Sequence, residues 1–444
     1  MPNRESEFTV KLGTAKLDIT PKHPIPLAGF ASRSGSFECV AQPLFARFYW
    51  FEQSQLHSRG SDSIVTGPSM PVLLVTADLI CWGSDRIPVL RTKLKERFGL
   101  EDSSIILHAT HTHSGPQTSA LLSKAVGSLA VEYVEWLEAQ VLEGAAQAAA
   151  SAEPVRIRRG AGMCAINIHR RKLVEGLVRG EPNELGPVDH DVTVFEFARK
   201  DGTRKGVLTH YSCHPTISNR NVVSSEFCGA AMDRLEAEIG GGVVCGYLQG
   251  CTGDVRPNLV QDGKFVYGGE PEIRRMGDQL FDAIRTVLAD PMQTLPNLPI
   301  SARQMLVPLK VQPLPSEEIL RSWLPYEDIM GEWSGFMLRN PERYRGPVLL
   351  ELTSIKLAEG LEFLAMNGEV VTEYGLHVKT RTGGQVLPVA YSNGMLGYVP
   401  TARQIYEGGY EGATSFRYFN LPGPFDPIIE QDIQHAIAAL LNSH

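Results

Sequence analysis

Residues 103–116, SSIILHATHTHSGP, decide how this chain is read. The half 105–109 is a short apolar run of the kind that forms a buried strand. The half that follows turns to Thr, His and Ser and ends at Gly115-Pro116, a turn signal. A buried strand therefore delivers a histidine-bearing loop.

Elements of both kinds surround this stretch. Residues 71–80, PVLLVTADLI, form a second continuous apolar run, again a buried strand. Between the two runs Ser84 is expected to cap a helix through RIPVLRTKLKERF that stops near Gly99. The opening FTVKLGTAKLDITP alternates as a strand and breaks at Pro21. Residues 121–152 favour helix and Pro154 ends it. VRIRRGAG, DVTVFEFA, KGVLTHYSC and VVCGYLQ read as strands, and EIRRMGDQLFDAIRTVLA has helical periodicity. Strands and helices mixed in this way predict an α/β fold, with two β-sheets flanked by helices. The Pro-rich ADPMQTLPNLPI predicts a boundary near residue 300. Beyond it come strands, a helical insert over 315–332 and a closing amphipathic helix, IIEQDIQHAIAALL.

Composition narrows the function classes. The chain has 444 residues, 43% hydrophobic and 21% charged, with a formal charge of −8. That is an ordinary globular composition, long enough for about three units or one large α/β unit with an appended part. Mild acidity without a Lys/Arg run argues against nucleic-acid binding. No stretch approaches the ~20 apolar residues of a membrane helix, and the opening MPNRESEFTV is polar, so a cytoplasmic protein acting on a small molecule is expected. The seven scattered cysteines (Cys39, Cys81, Cys164, Cys213, Cys228, Cys245, Cys251) form no CxxC pair, which predicts buried free thiols and no cysteine-held zinc.

Three places could carry chemistry. His108, His111 and His113 fall within six residues, and His111 and His113 would project to one side if extended, so two imidazoles could approach one centre. A hydrogen-bonded turn with incidental histidines is the competing reading. His214 ends a strand just before Pro215, whereas His210 lies deeper in the apolar run and is expected to be structural. The loop QGCTGDVRPN gathers Asp254, Arg256 and Asn258.

Taken in order, these segments resemble the catalytic domain of the neutral/alkaline, non-lysosomal ceramidase family. GTAKLDITP with LAGFA, HATHTHSGP, INIHRR, VDHDVTVFEF, SCHPT, SSEFCGAA and QGCTGDVRPN match its N-terminal motifs. NGEVVTEYG and GYVPTARQIYEGGYEGA match two C-terminal ones, Tyr398 and Tyr410 standing twelve residues apart. The resemblance spans roughly residues 10–420. It implies a Zn2+ ion held by His111, His214, Glu369 and Tyr398, with His113, Arg170 and Tyr410 around the scissile carbonyl as oxyanion donors or head-group contacts. Asp254 or a histidine is expected to protonate the leaving amine, and Arg256 and Asn258 to meet the substrate.

Two departures from the family pattern matter. Arg256 stands where the family loop carries a serine, which points to catalysis by metal-bound hydroxide and to a small polar or anionic substrate in place of ceramide. The chain also ends soon after the tyrosine segment, so residues 1–300 are expected to form the core and 301–444 to fold back and complete the zinc site, with no immunoglobulin-like domain. A zinc-dependent hydrolase of a linear amide is the leading reading. The alternatives are a zinc esterase, lactamase or sugar N-deacetylase on the same site, or a non-catalytic binding descendant; a serine hydrolase fits less well, since no G-x-S-x-G elbow occurs. Manganese or iron could replace zinc at such ligands.

Overall fold

The computed structural model describes residues 8–55, 71–344 and 346–442; residues 1–7, part of the opening read above as polar, lie outside the described residues. The first of three main sheets orders Ile105–Ala109, Val72–Ala77, Phe45–Gln55, Phe8–Asp18 and Glu153–Pro154. The second orders Val244–Gln249, Arg204–Tyr211, Asp191–Ala198, Arg156–Met163 and Gln293–Thr294. The third, of four strands, orders Asn297–Leu309, Val348–Ala358, Leu361–Met366 and Val386–Val389. The fold is mixed α/β as the sequence predicts, with three principal sheets where two were expected.

Burial of both faces explains why the strand sequences look as they do. Along Phe45–Gln55, Phe48 and Trp50 enter one core while Tyr49 and Phe51 enter another; Leu73 and Val75 likewise part from Val72 and Leu74. A strand covered on both sides has no polar face to show, so its sequence runs continuously apolar. The inter-sheet core joins Val10, Leu12 and Leu74 to Phe195, Leu208 and Leu248 and to Ile355, Phe363 and Leu387, from all three sheets. Each large side chain so buried contributes about 1.5–3 kcal/mol. The helices Glu226–Ile239 and Glu270–Ala289 cover the second sheet, and Val131–Ala150 covers the first.

Every main sheet contains one parallel pair: 72–77 with 105–109, 204–211 with 244–249, and 361–366 with 386–389. A parallel pair needs a crossover, supplied by the helices Ile87–Phe98, Glu226–Ile239 and Thr372–Arg381. The segments that leave the C-terminal ends of these strands carry His111, His214, Thr252, Glu369 and Tyr391. Strand polarity thus brings residues remote in sequence to one place.

Several local expectations need correction. Ser84 does not cap the helix Ile87–Phe98, which begins after Arg86 without a side-chain cap; Ser84 instead exchanges hydrogen bonds with the Met395 backbone. Gly99 does end that helix, with φ of 69°. Helix over 121–152 begins only at Val131, because Ser123 caps a short 3-10 turn, Lys124–Val126, that Gly127 ends at a φ of 118°. The Pro-rich boundary near 300 lies inside the strand Asn297–Leu309. It is an edge strand, and its register shifts between Asn297 and Ser301, around Pro299, where a ladder tolerates proline. All seven cysteines are free; six are buried and Cys39 is exposed. Among the described residues no helix is long and apolar enough to cross a membrane.

Candidate metal centre

Three imidazoles converge below the strand ends. His111 Nε2 lies 3.0 Å from His214 Nε2, and His113 Nε2 lies 3.2 Å and 3.0 Å from these two. Each ring's other nitrogen faces a backbone carbonyl oxygen: Ile80 O at 2.5 Å, Gly29 O at 3.0 Å and Thr252 O at 3.1 Å for His111, His113 and His214. A carbonyl only accepts, so each Nδ1 carries the proton and each Nε2 presents a lone pair. Glu369 adds an oxygen, Oε2, 3.3 Å from His111 Nε2 and 3.8 Å from His214 Nε2, buried and without a donor. Four acceptors meeting with no proton among them is unfavourable unless a cation lies between them. The residues present therefore fit a divalent metal, and the carbonyl contacts are the outer partners that fix ring orientation in metal sites.

The loop residues 110–113, not an extended strand, aim the histidines. His111 adopts φ of 68°, a left-handed conformation that costs a non-glycine residue about 1 kcal/mol or more, so the expected same-side projection arises from a backbone reversal. Gln249 ties both loops together: its side-chain amide donates to Thr110 O and Cys213 O and accepts from Cys213 N. Gly29 has φ of +108°, and a Cβ there would lie 2.4 Å from His113 Nδ1, so only glycine lets the loop close over that ring. Phe30 meets His113 edge-on at 5.1 Å. Burial, then His111 and further charges, push the His113 and His214 pKa values well below the ordinary range, which keeps both rings neutral.

Glu369 and Tyr398 are register partners in a short parallel ladder, Glu369–Val370 with Tyr398–Val399. Gly253 N donates to Val370 O, and a Cβ on Gly253 would meet Glu369 O at 2.6 Å. The Tyr398 hydroxyl accepts from Arg170 at 3.0 Å, and Arg170 also donates to Gly253 O and to Glu411. Tyr410 is 40% exposed, its ring 5.2 Å from that of Tyr398. His111, His113, His214, Glu369, Tyr398, Arg170 and Tyr410 are therefore neighbours.

Other predicted residues stand apart. His108 is structural: its Nδ1 faces Ala390 O and Ser392 Oγ and its Nε2 accepts from Gln249 N, with a pKa lowered to about 3 by burial. His210 faces Pro388 O, structural as expected. Asp254 stands as a fully bonded acceptor. Thr372 N and Oγ1, His169 and Gln404 occupy its oxygens, and these partners outweigh burial to hold its pKa at about 2. Asn258 is exposed, and its backbone N–H donates to Ile166 O. With its proton on Nδ1, the neutral His113 ring turns Nε2 inward as an acceptor. Sequence reasoning missed Tyr391, stacked on His111 at 4.1 Å and bonded to Thr252, and Glu411, which holds Arg170 and Arg171 together. The positive φ of Tyr391 in YSNG left a turn-like signal.

Comparison with known proteins agrees with this architecture. The curated neutral ceramidase of Pseudomonas aeruginosa is 24% identical over 272 residues, covering 58% of this chain and 38% of its own length. The crystal structure of neutral ceramidase from Pseudomonas aeruginosa superposes with a TM-score of 0.73 at 17% identity, covering 98% of this chain and 74% of that one. A ceramidase complexed with C2 gives 0.75 at 16% identity, covering 98% and 75%. The family profile described as neutral/alkaline non-lysosomal ceramidase, N-terminal, matches residues 10–265. The chain belongs to the neutral/alkaline non-lysosomal ceramidase family.

Proposed function

We propose that this chain is a zinc-dependent hydrolase that cleaves a linear amide, with a small polar or anionic substrate in place of ceramide. The observation that carries the reading is the meeting of three imidazole lone pairs and the orphaned Glu369 oxygen at one buried point. His111, His214, Glu369 and Tyr398 would hold the ion; nitrogen, carboxylate and phenol oxygens suit a borderline Lewis acid. Bound there, zinc supplies Lewis acidity and lowers the pKa of a coordinated water to about 7.

The chain's own groups then divide the work. His113 Nε2, fixed as an acceptor by the Gly29 carbonyl, orients the attacking water by accepting a hydrogen bond from it. Tyr410 donates to the carbonyl oxygen, and Arg170, anchored by Gly253 and Glu411, stabilises the charge that develops there. Residues 301–444 complete the centre, since Glu369 and Tyr398 come from them.

Elemental analysis of the wild type beside His111→Ala, Glu369→Ala and His113→Ala tests this reading. About one zinc per wild-type chain is expected, lost from the first two variants and kept by the third, which should lose turnover on linear amides. A wild type that takes up no metal when zinc is offered would sink the mechanism, and so would full zinc binding by residues 1–300 alone.

A further inference from the structure

Arg256 is a half-buried cation that pairs with no carboxylate among the described residues. Its guanidinium carbon lies 4.5 Å from the centre of the Phe265 ring and 5.3 Å from that of Tyr267. One nitrogen donates a long 3.4 Å hydrogen bond to Thr216 O, two residues beyond His214, and its Nε is buried without an acceptor. Burial lowers its pKa, Arg170 lowers it further, and the groups that favour its charge are Tyr267 and the Cys213 thiol. Other buried arginines are served differently: Arg170 and Arg171 share Glu411, Arg47 has Asp78, and Arg91 has Glu351. Holding an uncompensated cation in a half-buried place costs stability, which an anion from outside would offset.

The surroundings say where that anion enters. His113 touches Phe30, Phe30 meets Tyr267 edge-on at 5.4 Å, and Tyr267 borders Arg256. Tyr267 is 47% exposed, so this line of rings runs from the metal centre to the surface. Arg33, the other arginine near His113, gives one nitrogen to Ala28 O and His113 O and has Glu226 as the charge that favours it, although its Nε and Nη2 are also buried without an acceptor. Phe265 and Tyr267 border the Arg256 guanidinium, and a guanidinium fork matches a planar carboxylate through paired hydrogen bonds.

We infer that the substrate is an amide that also bears a carboxylate, of which an N-acyl amino acid is the simplest form, and that Arg256 framed by Phe265 and Tyr267 binds that carboxylate. The inference rests on the hydrolase reading above and names its substrate class. Arg256 is then the specificity determinant, and a neutral amide of the same shape lacks its anchor.

The test pairs N-acetyl amino acids with their methyl esters, in both turnover and calorimetric binding, on the wild type, Arg256→Gln and Arg256→Lys. Binding is measured on metal-free as well as zinc-loaded protein, so that a carboxylate attracted by the ion is told apart from one held by Arg256. The acid should bind the wild type about tenfold or more tightly than the ester, a preference lost in Arg256→Gln and partly kept in Arg256→Lys. Equal binding of acid and ester by the wild type overturns the inference without any variant, and so does a preference that survives in Arg256→Gln. If acids bind through Arg256 but no amide is cleaved, the carboxylate site stands and the hydrolase reading falls.

Discussion

His111 Nε2 and His214 Nε2 face each other across 3.0 Å while both Nδ1–H groups are already given to the carbonyls of Ile80 and Thr252. Two lone pairs so placed repel, and a bound cation turns that repulsion into attraction, so metal loading should stabilise the fold. At zinc a thousandfold above its dissociation constant the gain is about 4 kcal/mol. Calorimetric unfolding of zinc-loaded and chelator-stripped protein should show a clear rise in Tm for the wild type and none for His111→Ala. Identical Tm values for the two wild-type forms would refute a metal at this point.

Glu411 reaches Arg170 at 2.9 Å and Arg171 at 2.6 Å. Consecutive strand residues ordinarily point to opposite faces, but a register shift between His169 and Arg171 lets both arginines reach one carboxylate. Through Arg170 the same carboxylate positions the Tyr398 hydroxyl. Glu411→Gln is expected to keep its zinc yet lose roughly tenfold to a hundredfold in kcat, less than or comparable to the loss of a direct oxyanion donor. Glu411→Ala leaves Arg170 without its carboxylate and Arg171 with Glu407 alone, and should cost about 3–5 kcal/mol of stability. A Glu411→Gln variant with wild-type kcat would remove Glu411 from the site's machinery.

Much of this was legible in the sequence for a physical reason. Runs such as VLLVTA and IILHA are apolar because both faces of their strands are covered, and Gly99 marks a helix end because left-handed backbone favours glycine. His111 and His214 stood out because each follows such a strand. Glu369 and Tyr398 carry no local signal; only the resemblance singled them out, since the ladder that joins them is built from residues far from either histidine. The hydrogen bonding of His113 and Asp254 was not legible because it depends on partners remote in sequence, Gly29 O for one and Thr372, His169 and Gln404 for the other. No spacing rule reports which lone pairs are already taken.

Glu226 begins the helix Glu226–Ile239 fully buried, with φ of 57° and with one oxygen lacking a partner. Burial raises its pKa to about 7, against the pull of backbone N–H groups of Ser218, Ile217 and Phe227 and of Arg33. A carboxyl whose folded pKa is raised stabilises fully below its unfolded value, near 4.3, and loses that contribution as pH rises through about 7. The loss across this window is about 3 kcal/mol. Glu226→Gln should therefore match the wild type in denaturant unfolding near pH 4 and exceed it at pH 8. A variant less stable than wild type at pH 8 would contradict the assignment.

Arg91, on the helix Ile87–Phe98, forms a bidentate pair with Glu351 of the third sheet at 2.6 Å and 2.8 Å, both residues buried. Thr353 and Asn393 add donors to the same carboxylate. Burial alone would raise the Glu351 pKa, but Arg91, with Gln304 and Thr353, outweighs it and holds it below the usual carboxylate value. The sign follows: this stabilisation is present above the unfolded pKa of about 4.3 and is lost as pH falls through the lower folded value. Glu351→Ala leaves a buried guanidinium unpaired and should cost about 3–5 kcal/mol at pH 7. The double variant Arg91→Met, Glu351→Leu, which removes both charges, should cost less than the sum of the two single changes. Strict additivity in that cycle would mean that the pair contributes nothing to joining the helix of the first sheet to the third.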